Sequence, residues 1–228
     1  LMASRKAKPS IQSIGYAHSI HNEYHRYFKR RPNDSVNPPR PEIVAVTGPA
    51  EKSWLIENAQ VDQNHIEVVG SSRYLDFGDV SQYWVKKGVN LRVLFTVCYS
   101  FELEALANFC QQEPELFSKC ELVIRTYPFS WVDEQERGLG RLKNANLQFE
   151  RDHTTSLEEQ LEWSDVVLFN GTSVGIIAML KGRIAVYANL CRFLRADPIS
   201  NKGDDRFIIK CETAASLKVA FRELANMS

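Results

Sequence analysis

DVVLFNGTSVGIIAMLKGRIAVY, residues 165–187, contains one whole repeat of the fold. Val166-Val167-Leu168-Phe169 is a short, continuous apolar run rich in β-branched residues, the pattern of a strand buried on both faces. Asn170-Gly171-Thr172-Ser173 interrupts it with turn formers. Val174, Ile177, Ala178 and Lys181 then recur at helical spacing, and Gly182 is placed to stop the helix. Residues 183–187 return to strand character, so the segment predicts strand, polar turn, helix, strand: one right-handed crossover of a parallel sheet.

The chemistry of this segment lies in its turn. A helix opening at Ser173 or Val174 would point unpaired backbone N–H groups and its positive dipole end at the sheet edge. Thr172 and Ser173 add hydroxyls, and Gly171 lets a ligand come close to the backbone. Such a corner suits a phosphate. It equally suits a helix that merely uses Thr172 or Ser173 as its cap.

Working outward, the same alternation repeats. Strands are expected at 43–47, 65–69, 91–96, 121–126 and 207–210, with a short one at 146–149 and another within 11–20. Helices are expected at 51–59, 100–112, 133–142, 156–163 and 213–227; the Ser156–Glu159 spacing is a capping box. Alternating β and α with unalternating apolar strands means an α/β fold: an open, mostly parallel, Rossmann-like sheet covered by helices on both faces. Residues 29–41 are rich in proline and charge and read as a linker. The expected division is therefore 1–40, an N-terminal strand and linker, and 41–228, the Rossmann-like domain.

In such sheets ligands bind beyond the C-terminal strand ends. That rule selects Ser71, Ser72 and Arg73; Thr96; Arg125 and Tyr127; and Gly171, Thr172 and Ser173. Arg125 could grip a phosphate bidentately or close an ion pair at the sheet edge. Glu102, in the first turn of its helix, could accept from a ribose hydroxyl, though compensating the helix dipole is the simpler role. No strand is followed by G-x-G-x-x-G and there is no P-loop, which disfavours a dinucleotide site. His18, His21 and His25 lack a further ligand at recognisable metal spacing, so no metal is expected there.

Composition excludes several classes. Lys+Arg and Asp+Glu are both 28, so a general nucleic-acid binder is disfavoured and any phosphate recognition must be local. Five cysteines without a C-x-x-C pair suggest reduced thiols, and no apolar run is long enough to span a bilayer. No secretory signal is found, and Leu1-Met2-Ala3-Ser4 reads as a junction, so the chain is expected to be a piece of a longer protein.

The order of the strand ends resembles the C-terminal half of a GT-B glycosyltransferase. More narrowly, it is similar to bacterial surface-polysaccharide transferases of the CMP-Kdo and sialyltransferase-like set. The resemblance rests on GYAHS (15–19), PEIVAVTG (41–48), VVGSSRY (68–74), LRVLFT (91–96), LVIRTYP (122–128), SLEEQLEWSDVVLFNGTS (156–173) and GRIAVY (182–187). It implies a nucleotide sugar, CMP- or UDP-linked, as substrate, a glycan acceptor and no separate cofactor. Thr172-Ser173 matches the family's hydroxyl pair on the donor phosphate. The family's R-x-H-P stands here as Arg125-Thr126-Tyr127-Pro128; tyrosine donates a hydrogen bond but carries no positive charge. His18 is the candidate base or leaving-group stabiliser, though a hydrogen bond across the domain junction is the simpler role. The resemblance also implies a cytoplasmic setting, with room for association at the inner membrane face, and an N-terminal half supplied by a separate domain or a partner chain. Two rivals stand beside the transferase: a GT-B-like sugar-nucleotide epimerase or hydrolase, and an interaction module that kept the fold and lost the site.

Overall fold

The computed structural model describes residues 12–17, 41–71, 90–126, 132–152, 154–190 and 208–227. The chain forms two compact units, residues 1–76 and 77–228. The boundary expected after residue 40 is not where the sheets divide. Strand β1 (Ile14–Ala17) pairs in parallel with β2 (Ile43–Val46), and β2 with β3 (Ile66–Val68), giving the first unit its own three-stranded sheet. The 43–47 and 65–69 segments therefore belong with the N-terminal strand. Helix α1 (Pro49–Ala59) connects β2 to β3 and buries Trp54, Leu55 and Ala59 with Val44, Val46 and Ile66.

The second unit contains β4 (Leu91–Val97), α2 (Ser100–Gln112), β5 (Cys120–Thr126), α3 (Val132–Asn144) and β6 (Glu150–Arg151). After these come α4 (Leu157–Trp163), β7 (Val166–Phe169), α5 (Val174–Leu180), β8 (Ile184–Ala188), β9 (Ile208–Cys211) and α6 (Ala214–Met227). All strand pairs are parallel, in the order β6-β5-β4-β7-β8-β9. Counted along this unit, that is the 3-2-1-4-5-6 order of nucleotide-binding α/β sheets, and its direction reverses between β4 and β7.

The residue types explain the layers. Every residue of β7 and β8 is buried, as unalternating apolar strands require when both faces are covered. On one face α2, α3 and α6 bring Leu103, Leu106, Leu139, Leu142, Leu217 and Phe221 onto Val93, Phe95, Leu122 and Ile124. On the other, Leu161 of α4 and Ala178 of α5 meet Leu94 and Val167. Gly182 ends α5 with a φ of 69°, the left-handed conformation that glycine adopts without strain. The short strand expected at 146–149 lies instead at Glu150–Arg151. Leu147 N bonds back to Leu142 O and Asn146 has a φ of 56°, so those residues finish the exit from α3 before the chain can pair.

The N-terminal ends of β4 and β7 are locked together by charge. Asp165 Oδ2 accepts from Arg92 N at 3.0 Å and Arg92 Nε at 3.1 Å, and Oδ1 accepts from Nη2 at 2.7 Å. The Arg92 guanidinium also lies 5.8 Å from the Trp163 ring centroid. Asp165 is thus a register pin for the central strand pair. No helix among the described residues is long and apolar enough to cross a membrane.

Candidate functional site

The topological switch point is the crevice beyond the C-terminal ends of β4 and β7. Parallel pairing sets Thr96 beside Phe169, so the two chain exits start level. The β4 exit is Val97-Cys98-Tyr99 leading into α2; the β7 exit is Asn170-Gly171-Thr172-Ser173 leading into α5. They are joined across the crevice by the Thr96 and Thr172 hydroxyls, 3.0 Å apart. Gly175 lets α5 lie down against the strand it follows. A Cβ there would sit 2.5 Å from the Phe169 ring.

Glu102 organises this corner. Its side chain is fully buried. Oε2 accepts from Cys98 N at 2.7 Å and Tyr99 N at 3.2 Å. Oε1 accepts from Asn170 Nδ2 and Gly171 N, both at 3.3 Å. One carboxylate thereby caps α2, as a first-turn acid should, and also reaches across to hold the turn after β7. Burial pushes its pKa up to about 7; the four neutral donors pull it back only in part. The Cys98 thiol is pushed up to about 11 by burial and by Glu102, so it stays protonated and unreactive near neutral pH. Asn170, also fully buried, leaves Oδ1 without a hydrogen-bond partner. An unpaired buried acceptor costs about 1–3 kcal/mol.

These contacts place the residues singled out by sequence. Thr96, Gly171, Thr172 and Ser173 come together at the switch point. Ser173 occupies the N-cap position of α5 but makes no side-chain capping bond, and the Thr172 hydroxyl is turned to Thr96, so the simple capping role is not the one adopted. The expectation that the Gly171 amide is available to a ligand needs correction, because that amide is already bonded to Glu102. Arg125 faces another way: Nη1 donates to Thr155 O at 2.8 Å and Gln160 Oε1 at 2.7 Å, anchoring the approach to α4. Ser71 lies in the first unit, after Gly70 with its φ of 78°. His18, Ser72, Arg73 and Tyr127 fall outside the described residues.

A cavity of about 590 Å³ lies away from this corner, against the first half of β5, β6 and α4. Glu121, Glu150, Asp152 and Glu159 line it, an acidic wall that repels phosphate. This groove and the switch point are therefore separate places on the second unit.

No family model matches the chain, and no curated protein matches it by sequence. Its fold, however, is that of solved GT-B enzymes. TarM superposes with a TM-score of 0.58 at 14% identity, covering 95% of this chain and 44% of TarM. The lipopolysaccharide outer core galactosyltransferase WaaB gives 0.50 at 12% identity, covering 82% of this chain and 52% of WaaB. The UDP-GlcNAc 2-epimerase from Neisseria meningitidis, solved with UDP-GlcNAc bound, gives 0.54 at 9% identity, covering 92% of this chain and 61% of the epimerase. The chain spans about half the length of these structures. It has a GT-B glycosyltransferase-like fold.

Proposed function

We propose that this chain binds a nucleotide sugar, CMP- or UDP-linked, at the switch point between β4 and β7. It acts as a glycosyltransferase, or as the donor-binding part of one, in the assembly of a bacterial surface polysaccharide. The observation that carries the reading is the strand order with its reversal at β4/β7, where two hydroxyls, a helix start and a buried carboxylate converge. The likeness to WaaB supports the choice of product class.

In this reading the bond between the anomeric carbon and the donor phosphate breaks, and its electron pair leaves with the nucleotide. A glycan hydroxyl forms the new bond, and its proton goes to His18, the base nominated by sequence. The turn at 171–174 supports the phosphate as its charge grows. Ser71, Ser72, Arg73, Arg125 and Tyr127 are proposed as further donor contacts; for Arg125 this requires Nη2 or an exchange of the partners Nη1 now holds.

Calorimetric titration of the whole chain with CMP, CDP, UDP and GDP tests the reading and names the base. Binding by one of them at micromolar to millimolar concentration is expected. Silence from all four leaves the interaction module that lost its site. A second activity deserves a direct test because an epimerase superposes as well as the transferases do. Incubation with the nucleotide sugar and no acceptor should leave it intact; epimerised or free sugar favours the epimerase or hydrolase.

A further inference from the structure

We infer that Glu102 is a specificity-determining residue of the proposed nucleotide site. It is placed to disfavour a second negative charge on the bound phosphate. A nucleotide sugar, whose outer phosphate is a diester with one charge, is thereby held in preference to the free nucleotide, whose terminal phosphate carries two. The inference rests on the reading of the switch point as the phosphate site.

The geometry leads to it as follows. Glu102 bridges both walls of the crevice, touching the β4 exit at Cys98 and Tyr99 and the β7 exit at Asn170 and Gly171. Gly171 immediately precedes the turn proposed to receive the phosphate. Every hydrogen bond that the carboxylate accepts from the described residues comes from a neutral N–H, so these bonds organise its charge without cancelling it. A phosphate at the turn that follows Gly171 meets a second anion across a wall of low dielectric, where like charges repel far more than in water.

Nearby titratable groups leave this repulsion intact. The Cys98 thiol on the β4 exit stays neutral, and Glu134 of α3, acidic itself, accepts from Ser100 Oγ at 2.9 Å. The β7 exit presents Asn170, Gly171 and Thr172, none of which titrates. One way to relieve the repulsion is to take up a proton. A carboxyl whose pKa already stands at about 7 does this readily, and a terminal phosphate with its second ionisation near ~6 can do the same. The consequence for turnover is direct. At the outer phosphate the donor arrives as a monoanionic diester and the product departs as a dianionic monoester, so the same carboxylate that tolerates the one helps to expel the other.

The test is calorimetry on the whole chain with UDP against UDP-N-acetylglucosamine, and CMP against CMP-N-acetylneuraminate. Each pair is titrated at pH 6 and pH 8 in buffers of low and high ionisation enthalpy. The sugar-linked form should bind more tightly, with the gap widening by roughly tenfold at pH 8, the size of one screened charge pair near a protein surface. The free nucleotide should take up a fraction of a proton on binding, and the sugar-linked form less. Glu102→Gln should tighten the free nucleotide selectively and shrink the gap. Because the proton uptake is read on the wild-type chain, the inference stays exposed even if the variant folds poorly. Binding of both forms with no proton uptake and a gap independent of pH overturns the role of Glu102 and leaves the nucleotide site standing. Binding of none of the four compounds overturns the site, and this inference with it.

Discussion

The central strand pair, β4 and β7, has a buried carboxylate at each end, and the two are treated in opposite ways. At the N-terminal end Asp165 is met by the Arg92 guanidinium in a bidentate pair, side chains 1% and 11% exposed. At the C-terminal end Glu102 is equally buried, yet only backbone amides and a side-chain amide meet it. A buried charge that is cancelled serves the structure. A buried charge that is held by neutral donors keeps its field and a shifted pKa, which is the condition of a working corner. On the proposed reading the sheet thus has a structural end and a chemical end, and each should respond to substitution without the other.

The largest effect should come from the structural end. Asp165→Ala leaves Arg92 buried with no counter-charge, and we expect a loss of about 3–5 kcal/mol in a urea unfolding experiment. Nucleotide affinity of the fraction still folded should be unchanged. A loss much smaller than this would mean that the ion pair is not the pin between the strands.

The chemical end should reveal itself through pH. The folded pKa of Glu102 is raised to about 7 by burial, above the ordinary glutamate value of about 4.3, so the folded state keeps its proton to higher pH than the unfolded chain. Wild-type stability from this group is therefore complete below the unfolded value of about 4.3 and is lost progressively as pH rises through about 7, by on the order of 3 kcal/mol. Measured against Glu102→Gln, which lacks the titration, the wild type should lose ground between pH 5 and pH 8. A difference that stays flat across that range would contradict a raised carboxyl.

Smaller changes sharpen the contrast. Gly175→Ala pushes a methyl group into the Phe169 ring and should cost about 1–3 kcal/mol, because the core there has no slack. The shift of α5 should weaken nucleotide binding as well, which a change at the Arg92 end would not do. Thr172→Val removes the hydroxyl pair with Thr96 and should cost about 1 kcal/mol in stability. Its effect on nucleotide affinity should exceed its effect on the unfolding midpoint.

Much of the chemical end was legible in the sequence, and almost none of the structural end. Val166-Val167-Leu168-Phe169, the turn after it and the helix to Leu180 announce themselves by local pattern, because a strand buried on both faces leaves an unbroken apolar run. Thr96 and Thr172 follow from the rule that ligands bind beyond strand ends. The Arg92–Asp165 pair spans 73 residues of sequence, and no periodicity in either neighbourhood hints at it. Glu102 was visible as a first-turn acid, which it is. Its second task, holding Asn170 and Gly171, depends on which strands become neighbours. The boundary between units failed for a related reason. Local pattern identifies 43–47 and 65–69 as parallel strands but does not say whether they join β1 or β4, and register with Ile14–Ala17 decides that.

The most direct test of the account is amide chemical-shift mapping of the isotope-labelled chain during titration with UDP and CMP. Amides at Cys98–Glu102 and Asn170–Val174 should move in a saturable way, while those of Arg92 and Asp165 at the other end of the same strands stay in place. Saturable shifts confined to the acidic groove around Glu121, Glu150 and Asp152, or no shifts at the β4/β7 exits, would contradict it.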